Sequence, residues 1–153
     1  MKPQLGDTIL NRYTLVSSLR EEPGIQAWKA NDRVLAKDCQ LFIITNRSAF
    51  AAIDELAGRM AATRPDRVIP VLKYRMESDV LLIVMPVDSG QCLTDYMVDT
   101  AKPLSYSAIR SIIGECADVL REVIADTPSG IVITTDTVRV TTSGVQIADA
   151  PCA

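Results

Sequence analysis

The chain contains no histidine, and that absence removes the commonest general base and the commonest metal ligand together. Serine-histidine and cysteine-histidine catalytic arrangements are excluded with it. Cysteine is sparse: Cys39, Cys92, Cys116 and Cys152 are widely scattered and form no Cys-x-x-Cys pair, so neither zinc nor a disulfide framework is expected. In apolar contexts such thiols pack as small hydrophobes. A basic excess is missing too. With 16 Lys and Arg against 19 Asp and Glu, a net charge of -3 and no dense basic run, nucleic acid and anionic membrane surfaces are not expected partners. The longest apolar stretch, Val80 to Val87, is far short of the roughly 20 residues of a membrane helix. No membrane insertion of these residues is expected. Met1-Lys2-Pro3-Gln4 runs into Gly6-Asp7 without an apolar signal core, which points to a cytoplasmic location.

What is present is a chain of 153 residues, the length of one domain with a sizeable core. Tyr13, Leu15 and Leu19 alternate with polar residues before the turn Glu21-Glu22-Pro23-Gly24, which predicts a strand and a hairpin. The return strand runs through Ile25, Ala27 and Trp28, and a loop around Asn31-Asp32 leads to a third strand over Cys39 to Thr45, rich in β-branched residues. Asn46 or Ser48 can cap a helix in which Phe50, Ile53, Leu56, Ala57, Met60 and Ala61 recur at helical spacing, with Pro65 beyond its end. Strands over Val68 to Tyr74 and Val80 to Val87 follow, joined by a turn at Met76 to Asp79.

After the connector Asp88-Ser89-Gly90, Leu93 to Met97 reads as a short helix and Lys102-Pro103 as a break. The next helix, capped by Ser105 or Ser107, carries one apolar face through Ile109, Ile112, Ile113, Cys116, Ala117, Leu120, Val123 and Ile124, expected to be almost wholly buried. Gly130 to Val140 and Val145 to Ala148 alternate around Ser143-Gly144, which predicts a small hairpin.

Strand order and spelling together carry a resemblance. Arg12-Tyr13-x-Leu15, the run Trp28-Lys29-Ala30-Asn31-Asp32, and Leu82-Ile83-Val84-Met85-Pro86 ahead of Gly90-x-Cys92-Leu93 resemble bacterial serine/threonine protein kinases. Those kinases typically read Arg-Tyr, Tyr-x-Ala-x-Asp, and Leu-Val-Met-Glu followed by Gly-x-Ser-Leu. The resemblance covers about Gly6 to Pro151 and implies an α+β, protein-kinase-like fold. Residues 1–87 would form an N-lobe with a five-stranded antiparallel sheet and one αC-type helix. Residues 88–153 would form a truncated helical C-lobe with a small β-hairpin, the whole making one compact unit. An intact kinase continues through an activation segment and substrate-binding helices, so the chain reads either as an excised fragment or as a reduced domain.

Phosphoryl transfer needs a glycine-rich loop, a strand lysine, metal-binding side chains and a catalytic aspartate. Along the family pattern the loop glycines fall on Arg20, Glu22 and Ile25, and the lysine strand reads Cys39-Gln40-Leu41-Phe42. Strand alternation puts Gln40 and Phe42 on the face that would line a nucleotide cleft, where phenylalanine cannot hold phosphate oxygens. Lys29 is the nearest other cation along the chain, read as a solvated strand lysine. Glu55 takes the place of the helix glutamate without its lysine partner, and is read as solvated or locally paired. Met85 stands at the gatekeeper position, with Pro86-Val87-Asp88 as hinge. The catalytic loop reads Gly130-Ile131-Val132-Ile133-Thr134-Thr135-Asp136-Thr137-Val138 and places no catalytic base, with Asp136 read as a turn residue. Asp149 matches the metal-binding aspartate before the activation segment, but Ala150-Pro151 follow it.

The resemblance therefore implies a pseudokinase with no catalytic residues, no cofactor and no bound metal, acting as a protein-interaction or regulatory module. The alternative is a nucleotide-binding sensor without phosphotransfer. The group named by the likeness is the actinobacterial pseudokinase domains, including the kinase-homology domain attached to the lipid II flippase. It implies a protein partner such as a phosphothreonine reader or a membrane-linked cell-wall protein, and the cytoplasmic part of a longer membrane-anchored chain. A C-lobe of this length is further expected to expose apolar surface on its long helix and to self-associate or take a partner there.

Overall fold

The computed structural model describes residues 3–63, 68–77, 79–87, 90–99, 105–126, 134–141 and 144–148. The chain divides into two compact units, Met1–Ala61 with Val71–Val87, and Ala62–Pro70 with Asp88–Ala153.

The first unit is an antiparallel sheet of β1 (Thr8–Ile9), β2 (Tyr13–Glu22), β3 (Ile25–Asp32), β4 (Lys37–Ile44), β5 (Lys73–Glu77) and β6 (Val80–Pro86), in the order β1-β2-β3-β4-β6-β5. The expected five strands become six. The addition is β1, which folds back on β2 through the turn Ile9-Leu10-Asn11-Arg12. There the Arg12 amide donates to the Ile9 carbonyl, and Leu10 and Asn11 hold φ of 53° and 54°. Two left-handed residues give the mirror-image turn that matches strand twist, a conformation that Leu10 does not advertise.

Alternation sorts the sheet into two faces. Tyr13, Leu15, Trp28, Ala30, Cys39, Leu41, Ile43, Leu82 and Val84 form one buried cluster. Leu10 and Tyr13 at one end of the strand order and Lys73, Tyr74 and Arg75 at the other line one small cavity, so the sheet curls until its two edges approach. Register shifts between Leu15 and Ser17 and between Ser18 and Arg20 supply the bend.

The opposite face carries Ala27, Phe42, Ile44, Leu81, Ile83 and Met85, all buried. Helix α1 (Phe50–Thr63) follows a 3-10 turn whose Asn46 side chain accepts the Ser48 amide at 3.2 Å. Its Ile53, Leu56, Ala57 and Met60 are buried. A Cβ at Gly58 would stand 3.1 Å from the Tyr74 hydroxyl, and Tyr74 pairs with Ile83, which sets α1 over this second face.

The fourth strand expected at Val68 to Tyr74 begins only at Lys73. Val68 instead bridges Ile147, and the Ile69 amide donates to the Ile147 carbonyl at 2.8 Å. Tertiary pairing takes these apolar residues out of the first sheet.

The second unit holds α2 (Leu93–Asp99), α3 (Tyr106–Asp126) and a small sheet of β7 (Gln91–Cys92), β8 (Val138–Thr141) and β9 (Gly144–Ile147), in the order β7-β8-β9. Ser105 caps α3, its Oγ accepting the Ala108 amide at 3.1 Å. The expected burial of the α3 apolar face is overturned. Val119 is buried, but Ile109 and Ile113 are 41% and 63% exposed. The face spans more of the helix circumference than the hairpin covers. The strand expected from Gly130 onward starts at Val138. Thr134 Oγ1 accepts the amides of Asp136 and Thr137, a side-chain turn that competes with the ladder. Gly130 to Ile133 lie outside the described residues. Among the described residues no helix is long and apolar enough to cross a membrane.

Candidate functional site

Pairing register places most of the candidate residues on one surface. Arg20 pairs with Ala27, Glu22 with Ile25, Ala27 with Phe42, Lys29 with Gln40, Gln40 with Met85 and Phe42 with Ile83. Directly paired residues share a face, so Arg20, Glu22, Ile25, Lys29, Gln40, Phe42 and Met85 all lie on the α1 side of the sheet.

Their environments differ sharply. Phe42 has no exposed surface and Met85 is 1% exposed, so the centre of the face is apolar and closed. Gln40 is buried as well, and its Nε2 donates to the Pro86 carbonyl at 3.3 Å. That bond ties β4 to the end of β6 and satisfies a buried donor. Strand alternation predicts this face for Gln40 but carries no sign of its partner. Only the register that sets Gln40 against Met85 shows that Pro86 lies in reach.

Toward the β2–β3 turn the face becomes charged and self-neutralised. Arg20 Nε donates to Glu22 Oε1 at 2.9 Å and Nη2 to Oε2 at 2.8 Å. These hydrogen bonds hold the Glu22 carboxyl below the usual carboxylate range. Lys29 lies 3.6 Å from the Asp38 carboxylate, a partner two residues from Gln40 on the same side of β4. An open hollow of about 600 Å³ lies at the tip of this hairpin, beside Glu21, Glu22, Gln26 and Thr45. Its titratable lining is Glu21 and Glu22, two carboxylates and no cation.

Glu55 does not join this group. It is exposed on α1, and its Oε1 accepts from Arg59 at 2.7 Å, one turn along the helix. In the second unit, Asp136 belongs to the turn before β8. Its Oδ1 accepts the Thr94 hydroxyl at 2.8 Å, and the Thr94 amide donates to the Thr135 carbonyl. That carboxylate fastens the start of α2 to the turn. Asp149 lies outside the described residues. Among the described residues no three His, Cys, Asp or Glu side chains converge as a metal site.

No family model matches the chain, and no curated protein matches its sequence. Solved structures do resemble it. The kinase domain of Mycobacterium tuberculosis PknI, in a single-site mutant, superposes with a TM-score of 0.82 over 100% of this chain at 16% identity. PpkA in its apo form superposes with a TM-score of 0.76 over 97% of this chain at 14% identity. The chain spans 64% and 61% of the lengths of those two chains. The fold, with its curled antiparallel sheet and single sheet-packed helix, is protein-kinase-like.

Proposed function

We propose that this chain is a catalytically inactive, kinase-like domain that works as a protein-interaction or regulatory module. The observation that carries the reading is Phe42. At the strand position where a kinase presents its lysine, an aromatic ring is completely buried, and the helix carboxylate Glu55 is engaged with Arg59 in solvent. Phosphoryl transfer rests on positioning and on neutralising charge. A face whose centre is apolar and whose cations Arg20 and Lys29 are already engaged by Glu22 and Asp38 supplies neither. The partner in this reading is a protein, of the class of phosphothreonine readers or membrane-linked cell-wall proteins, and the domain works on the cytoplasmic side of a bacterial membrane.

A second reading has one observation in its favour. Arg20 and Lys29 are cations on the same sheet face, and a nucleotide that displaced Glu22 and Asp38 from them would find positive charge. Thermal unfolding with and without Mg-ATP, together with transfer of labelled phosphate to the chain or to a generic protein substrate, separates the readings. The inactive module gives no thermal shift and no transfer. A saturable, magnesium-dependent stabilisation promotes the nucleotide sensor. Transfer of phosphate that persists after repurification refutes both.

A further inference from the structure

Helix α3 is apolar over two flanks, and the second unit covers one of them. At about 100° per residue, Val119 lies about 120° around the helix from Ile113. On the Val119 side the Glu115 carboxylate stands over the backbone of Gly144 in β9, and Val119 is 1% exposed. On the other side Tyr106, Ile109 and Ile113 succeed one another at spacings of three and four, 80%, 41% and 63% exposed. Such a stripe is the geometry by which one amphipathic helix receives another.

The border of the stripe is not neutral. Arg110 and Arg121 project on the same edge of the helix, about 20° apart by the same geometry. Arg110 is exposed and has no partner among the described residues, while Arg121 pairs with Asp118 with 78% of its side chain exposed. An antiparallel second copy would set this arginine edge against its own equivalent, and like charges oppose that pairing. A partner with acidic residues beside its apolar anchors meets no such penalty.

We propose that the Tyr106–Ile109–Ile113 stripe of α3 is a docking surface for an amphipathic helix bearing an acidic flank. The proposal rests on the interaction-module reading and names its partner class. The nucleotide assay decides that reading, whereas a peptide titration decides this surface, so the two can fail separately. The probe is a fluorescent synthetic helical peptide with leucines at spacings of three and four and glutamates along one flank, against a companion with lysines in their place.

The glutamate peptide is expected to bind the whole chain saturably and the lysine peptide to bind at least about tenfold more weakly, the factor that 1.4 kcal/mol represents. Ile113→Ser should weaken the glutamate peptide by about tenfold or more. The double variant R110E/R121E should reverse the preference toward the lysine peptide. Since Ile113 is mostly exposed, its variant should melt as the parent does, and Tyr106→Ser, at a still more exposed position, repeats the test if it does not. Equal affinity for both peptides, no saturable binding, or a dimer in sedimentation that Ile113→Ser abolishes would each overturn the proposal, the last by making a second copy the occupant.

Discussion

Asp32 collects four donors at the end of β3. Arg12 Nε and Nη2 reach its two oxygens at 2.9 and 2.8 Å, and the amides of Val34 and Leu35 reach Oδ1 at 3.0 and 3.2 Å. The guanidinium hydrogen bond lowers the carboxyl to about 2 from an ordinary 3.8, with the two amides adding to the effect and burial opposing it. A lowered folded-state value contributes stability in full above the unfolded value, and that contribution is lost as pH falls through about 4 toward about 2. With the partial exposure of the arginine, 26% of its side chain, discounted, the contribution is ~1–2 kcal/mol. Urea unfolding at neutral pH and near pH 2.5 should therefore show a smaller acid loss for Asp32→Asn than for the parent; equal losses would remove Asp32 from the acid response. Phe42 gives the sharper functional test. Phe42→Leu should cost about 1–2 kcal/mol as a cavity, whereas Phe42→Lys should cost more than about 3 kcal/mol because an ammonium is buried without an acid opposite. Equal costs would mean that a carboxylate reaches the position after all. Burial, with Asp32 and Asp38 nearby, pushes the Cys39 thiol up to about 11. It should resist alkylation at pH 8 in the folded chain and label on unfolding.

At the scale of elements, turns decided more than strands did. Alternation located β4 and β6 within a residue or two, because strands write their two faces into the chain at a period of two, whereas β2 and β3 run on through Glu22 and Asp32, residues expected in a turn and a loop. β1 escaped because two residues carry no period and its turn uses Leu10 at a left-handed φ where Asn or Gly is the usual signal. Leu10→Gly should relieve that strain and raise stability by up to about 1 kcal/mol, read as an upward shift in melting temperature; a fall would show that Leu10 packing matters more. Gly24 is the opposite case. Its φ is 82°, a Cβ there would stand 2.7 Å from the Asn46 Cβ, and its carbonyl accepts the Thr45 and Asn46 amides. Gly24→Ala should lower stability by about 1–3 kcal/mol while leaving the circular dichroism spectrum of the folded chain unchanged. The β5 boundary was misplaced for a different reason. Val68 and Ile69 look like strand residues, but their partner is Ile147, far along the chain, and no local pattern encodes that choice.

For the molecule as a whole, the resemblance to kinases was legible in short spellings such as Trp28-Lys29-Ala30-Asn31-Asp32, although identity to the superposed structures is only 16% and 14%. Fold survives such divergence because apolar faces hold it, while the positions that carry chemistry are free to change. The sequence by itself determined which residue types stand where: no histidine anywhere, phenylalanine for lysine at 42, arginine and glutamate for loop glycines at 20 and 22. It also determined the periods that make strands and helices, since those depend on neighbours along the chain. Only the tertiary structure decided that Gln40 would bind the Pro86 carbonyl, that Arg20 would turn onto Glu22, and which flank of α3 would be covered. Each of those outcomes depends on register between distant segments and on which apolar surface finds a cover. Such competitions are settled by packing and hydrogen-bond satisfaction in three dimensions, to which a linear pattern is blind.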